Sequence, residues 1–170
     1  RLALFEKNGS IQIIDQPFTD FSGLHSHQNR LVAIASSSVI SEGIFEIDLL
    51  DRSWDHSPAS ALRLDPMKIS IGESFWFVGS NQNNVHAWYY PPLNSGILSP
   101  PLVVKSHSGP TGMARCGLDL EVQFWTSRGW AVVDVNYGGS SGFGREYRDR
   151  LRGNWGVIDV VDCTKAAQSL

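Results

Sequence analysis

Residues Trp130–Val135 are apolar except for Asp134. A strand with one wet face alternates apolar and polar side chains; a run without alternation belongs to a strand covered on both faces. The flanking patterns supply the covers. Within Ala114–Arg128, Leu118, Val122 and Trp125 share one helical face, and Gly129 is placed to cap the helix. Downstream, Phe143, Tyr147 and Leu151 recur at i, i+4 and stop at Gly153. A third helical pattern starts near Trp155. It carries Ile158, Val161 and Ala166 or Ala167 inward, with Asp159 and Asp162 near the positive end of its dipole. With Leu102–Lys105 as a further short apolar strand, strand and helix alternate, which predicts an α/β fold with a mainly parallel sheet.

Upstream the texture differs. Glu73–Val78 and Asn84–Tyr90 are aromatic-rich strands joined by the polar turn Gly79–Asn83. Pro91 and Pro92 end the second, since proline donates nothing to a ladder. Leu93–Pro101 reads as a flexible stretch. Before residue 66 the chain reads as short antiparallel strands: Ser10–Ile14, Leu31–Ala35 and Gly43–Leu49, the last closed by an Asp51-Arg52-Ser53 turn. Such spacing suggests a sandwich or propeller, of which barely more than one blade fits here. The expected organisation is therefore a β-rich portion over 1–66 and an incomplete α/β portion over 67–170, the latter ending inside a helix.

Composition narrows the class. A 42% hydrophobic and 18% charged chain is an ordinary globular one, and its net charge of −3 argues against nucleic acid. No apolar run approaches the ~20 residues of a membrane helix. Cys116 and Cys163 form no CxxC pair and read as packed thiols, which points to a cytoplasmic setting. No dinucleotide or phosphate-loop fingerprint occurs, and no cofactor is expected.

Three features could carry chemistry. Gly138-Gly139-Ser140-Ser141-Gly142 is a literal G-x-S-x-G between a buried strand and a helix, the context of a nucleophile elbow. Yet His25, His27, His56, His86 and His107 all precede Ser140, and the elbow's fold places its histidine after the serine. A glycine-rich turn is the preferred reading. His107-Ser108-Gly109-Pro110 follows the strand Leu102–Lys105. It suits either an oxyanion hole, with the Gly109 N–H aimed at developing charge, or a plain turn; four residues leave both open. His25-Ser26-His27 puts two rings on one strand face, but no carboxylate or cysteine cluster completes a metal site, and Asp55-His56 sits in a polar loop.

Several of these pieces, taken in order, resemble the prolyl oligopeptidase family on its acylaminoacyl-peptidase and dipeptidyl-peptidase side. They are Val85–Pro92, Pro101–Pro110, Trp125–Gly144 and Gly153–Cys163. The resemblance is specific over about residues 72–165 and only compatible upstream. It implies a β-propeller capping an α/β-hydrolase domain, a Ser-Asp-His triad, and short peptides as substrates. It also implies that the triad lies beyond Leu170, since the nucleophile's strand follows the helix that ends there. The family motif is His-Gly-Gly-Pro, so the resemblance assigns the oxyanion N–H to Gly109, with Ser108 replacing the first glycine. Gly138 stands where an arginine is common.

Three readings follow. The intact protein is expected to be a serine oligopeptidase or aminoacyl/dipeptidyl-peptidase; an esterase or lipase on the same scaffold, or a non-catalytic interaction fragment, are the alternatives. The 170-residue chain alone is expected to be inactive and, with an open sheet edge, to self-associate. A homo-oligomer is compatible with the sequence, and no membrane or nucleic-acid partner is expected.

Overall fold

The computed structural model describes residues 2–93, 96, 98–109 and 111–170. Parts of the expected flexible stretch (Asn94, Ser95 and Ile97), together with Pro110, lie outside the described residues. The chain divides into two compact units, 1–66 with Cys116–Asp119, and 67–115 with 120–170.

In the first unit β1 (Ala3–Phe5) and β2 (Ile11–Ile13) form a hairpin. Then β3 (Asp20–His27), β4 (Arg30–Ser36), β5 (Gly43–Asp48) and β6 (Trp54–Pro58) make a four-stranded antiparallel meander in chain order. Alternation decides its faces. Leu31, Ala33 and Ala35 of β4 and Phe45 and Ile47 of β5 are buried with Leu2, Ile14 and Phe18. Val32, Ile34 and Ile44 point the other way and are exposed. His25 and His27 lie on a strand, as expected; it runs for eight residues and skips register between Ser22 and His25, where Gly23 takes a left-handed φ of +57°. One sequence reading is corrected here. Asp55 and His56 lie in strand β6 and not in a loop, because they pair with Glu46 and Phe45.

The second unit holds a four-stranded sheet in the order β7 (Glu73–Val78), β8 (Asn84–Tyr90), β10 (Ala131–Asn136), β9 (Leu102–Ser106). Only β9 and β10 run parallel; β7–β8 and β8–β10 are antiparallel. The mainly parallel sheet expected from the alternation is thus a mixed one, because the aromatic hairpin joins the same sheet as the strand–helix segment.

All six residues of β10 are buried. Val133 and Val135 enter a cluster with Phe77, Val85, Leu151, Ile158 and Ala166, whereas Val132 faces Tyr90 and Val122 on the other side. Each such valine contributes roughly 1.5–3 kcal/mol of apolar transfer. The first cluster is covered by Leu151, in the turn after α2 (Arg145–Asp149), and by α3 (Ile158–Gln168); the second is covered by α1 (Leu120–Thr126).

Helix α1 spans 7 residues, against the 15 expected from Ala114 to Arg128. Its N-terminal half is pulled out of helical geometry. The Ala114 backbone is clamped on both its N–H and C=O by the Asn136 amide, and Leu118 donates to Ser37 in the first unit's own set of residues. Competing partners outside the segment overrode its periodicity. The C-terminus behaves as expected. Gly129, at φ +83°, donates to Thr126 while Trp130 donates to Trp125, which is a Schellman closure. In α3 the inward side chains are Ile158, Asp162 and Ala166; Val161 is partly exposed.

Candidate active-site loop and its supports

The C-terminal end of β9 runs into His107-Ser108-Gly109. Gly109 sits at φ +74°, with open space where a Cβ would be. That backbone favours glycine. Gly109 is exposed, and among the described residues no acceptor takes its N–H. Its carbonyl, by contrast, receives the Tyr137 hydroxyl at 2.8 Å. The carbonyl side of this residue is therefore tied down while its N–H is left over.

Tyr137, just past β10, also lies flat against His107, ring centroids 4.4 Å apart at 19°. Its hydroxyl has further contacts at 3.3 Å with the His107 carbonyl and Nδ1. Burial, with Asp159 and Cys163 nearby, raises the Tyr137 pKa, so the hydroxyl keeps its proton and donates.

Ser140 is completely buried. Its Oγ donates to the Tyr137 carbonyl at 2.8 Å and lies 2.7 Å from His107 Nε2. Chain order set every histidine before Ser140; the fold nevertheless brings one of them to it, an encounter that the order of residues did not anticipate. The geometry is not that of an attacking serine. The hydroxyl hydrogen is already given to a carbonyl, so His107 is the donor, through Nε2–H, and its Nδ1 faces Tyr137 and Ser108 instead of a carboxylate. No substrate carbonyl can reach a fully buried Oγ. Burial lowers the His107 pKa, opposed by the Ser108 and Gly109 carbonyls.

Two sequence-inconspicuous residues anchor this loop. Asp162, fully buried in α3, accepts the Gly138 N–H at 2.8 Å and the Ser80 N–H at 2.6 Å. The sequence places it near the positive end of the α3 dipole; its carboxylate instead turns inward to two backbone amides of remote turns. Asn136 bonds the Ala114 backbone and His86 Nδ1, whose Nε2 side reaches Ser74 at 3.0 Å. No local periodicity marks either role, since all partners are more than 20 residues away or across the sheet. His25 and His27 are exposed on β3, and among the described residues no group of three His, Cys, Asp or Glu could hold a metal. Cys116 and Cys163 are free thiols, and burial beside Asp162, Asp159 and Asp134 pushes the Cys163 thiol up to about 11. No helix among the described residues is long and apolar enough to cross a membrane.

The profile of the prolyl oligopeptidase family matches residues 117–170, the stretch holding α1, β10, the Tyr137–Ser141 turn and α3. The chain is similar to members of the prolyl oligopeptidase family, and the family profile matches its C-terminal third. Among the proteins it resembles, dipeptidyl-peptidase 5 of Aspergillus fumigatus is 34% identical over 114 residues, which cover 63% of this chain and 16% of the relative. A puromycin-hydrolyzing peptidase of Mycobacterium tuberculosis superposes with a TM-score of 0.94 at 32% identity, covering 100% of this chain and 28% of that one. A second puromycin hydrolase structure gives a TM-score of 0.85 at 34% identity over 96% of this chain and 26% of its own. The chain thus spans about one-sixth of the length of that curated relative and about a quarter of the solved structures.

Proposed function

We propose that the protein containing this chain is a serine peptidase acting on short peptides through an acyl-enzyme, as an oligopeptidase or an aminoacyl- or dipeptidyl-peptidase. In this reading residues 67–170 are the first part of an α/β-hydrolase domain, and residues 1–66 are the closing portion of a β-propeller. The Gly109 N–H serves as an oxyanion-hole donor, while the attacking serine and its base lie outside these 170 residues.

The observation that carries the reading is the state of Gly109: a left-handed, exposed glycine at a strand end, its carbonyl held and its N–H without an acceptor among the described residues. A donor fixed in place and left over is what a tetrahedral oxyanion requires. Peptidases among the relatives support peptide bonds over esters as the substrate. No cofactor is needed for this chemistry, and a cytoplasmic setting fits two free thiols.

The test uses the full-length reading frame. Purified protein is assayed on dipeptidyl and aminoacyl p-nitroanilides beside p-nitrophenyl esters of short acids, and labelled with a peptidyl phosphonate. Peptide turnover that the phosphonate abolishes supports the proposal. Ester turnover alone would move the protein to the esterase class, and no labelling at all would leave a non-catalytic interaction protein.

A further inference from the structure

Resting on that reading, the structure assigns a second role beside the Gly109 donor: we infer that the turn Tyr137–Ser141 is a mould that sets the oxyanion loop, with Tyr137 as its principal positioning residue. This turn contains the G-x-S-x-G look-alike, and nearly every polar group in it is spent on the neighbouring loop or on its own anchorage. Tyr137 Oη holds the Gly109 carbonyl at 2.8 Å and its ring backs the His107 imidazole. Ser140 Oγ takes His107 Nε2–H at 2.7 Å. Ser141 donates its N–H to the Gly112 carbonyl at 2.9 Å and its hydroxyl to Thr111. His107, Gly109, Thr111 and Gly112 are thereby each gripped from the same turn.

The mould itself is fixed from behind. Gly138 N–H is held by Asp162 of α3, and Gly139 N–H by the Tyr147 carbonyl of α2, 2.9 Å away. Glycine is demanded inside the loop and behind the turn. A Cβ on Gly112 would come within 2.8 Å of His107 Nδ1 and the Ser108 carbonyl, and one on Gly139 within 2.6 Å of Leu151. The loop is therefore folded tightly on itself, and the turn is packed tightly against the Leu151 side chain behind it.

The chemical consequence is specific. Hydrogen-bond donors stabilise an oxyanion only where they already sit, and small displacements of a positioned group can cost about 100-fold in rate. Removing the Tyr137 hydroxyl frees the Gly109 carbonyl and lets the adjoining peptide rotate. Such a change weakens binding of the tetrahedral state and leaves ground-state binding of the peptide intact, so it lowers kcat and spares KM.

The experiment compares wild-type full-length protein with Tyr137→Phe, which keeps the stacked ring, and with Ser140→Ala. Steady-state turnover of a dipeptidyl p-nitroanilide is measured, with inhibition by a peptide boronic acid, which forms an anionic tetrahedral adduct, and by the product dipeptide. Expected for Tyr137→Phe is a fall in kcat of about 10- to 100-fold, an equal loss of boronate affinity, and KM and dipeptide inhibition within about twofold. Ser140→Ala should show the same pattern at about tenfold or less, and serves as the test should Tyr137→Phe not fold. Unchanged kcat and boronate affinity in folded variants overturns the inference, as does equal weakening of dipeptide and boronate. Should the wild type neither turn over nor label with a phosphonate, the proposed function falls as well; an active wild type with unaffected variants sinks the mould alone.

Discussion

At the scale of single residues, the behaviour of this chain is governed by side chains whose partners are remote in sequence. Asp162 is the clearest case. It is fully buried, and its carboxylate satisfies two backbone donors from different loops, at Ser80 and Gly138. Truncation leaves both amides buried and unpaired, so Asp162→Ala should lower unfolding free energy by about 2–5 kcal/mol, read from urea midpoints. Ser140 is a second case. Because its hydroxyl is committed to the Tyr137 carbonyl and shielded from solvent, Ser140→Ala in full-length protein should still label with a serine-directed phosphonate, at a reduced rate. Mass spectrometry of the labelled peptide should place the adduct on another serine. Complete loss of labelling would reinstate Ser140 as the nucleophile.

Among the elements, β8 and β10 carry a polar chain through an otherwise apolar sheet. Asn136 on β10 donates to His86 Nδ1 on β8, which leaves Nε2–H for Ser74 on β7. Trp76, Trp88 and Phe143 surround the imidazole at ring separations of 5.0–5.2 Å. Burial lowers the His86 pKa, so the neutral ring is the native form. The sign follows by linkage. The unfolded state binds the proton first as pH falls, so this contribution is present above the ordinary histidine pKa of about 6.5 and is lost progressively below it. Urea midpoints should therefore fall between pH 7 and pH 5, and His86→Gln should flatten that slope relative to wild type. An identical slope in the variant would mean that His107, whose pKa is shifted the same way, carries the effect.

For the whole molecule, the decisive feature is what these residues assemble together. Among the described residues Ser140 alone meets a histidine through its side chain in the second unit's loop cluster, apart from Ser74 on His86, and neither histidine has a carboxylate on its other nitrogen. An acyl-enzyme mechanism needs an accessible nucleophile with a base held in register. The purified 170-residue chain should therefore hydrolyse neither peptide p-nitroanilides nor p-nitrophenyl esters and take up no phosphonate, whereas under the proposed function full-length protein should turn over the peptide substrates and take up the phosphonate. Phosphonate-sensitive turnover by the short chain would contradict the assignment of roles made here.

Much of this was written in local pattern. The unalternating run before Asn136 required a strand covered on both faces, and the aromatic hairpin and the Gly129 cap followed from periodicity and turn chemistry. Local physics suffices for these because the interactions that specify them lie within a few residues. The resemblance to the prolyl oligopeptidase family, too, was legible, since the motifs that carry it are contiguous. Tertiary structure alone decided the rest: that α1 begins at Leu120, that the sheet is mixed, that Asp162 turns inward, and that His107, Tyr137 and Ser140 converge on the Gly109 loop. Each of these depends on a backbone or side-chain partner tens of residues away, and a hydrogen bond between distant groups leaves no periodic trace in the chain that makes it.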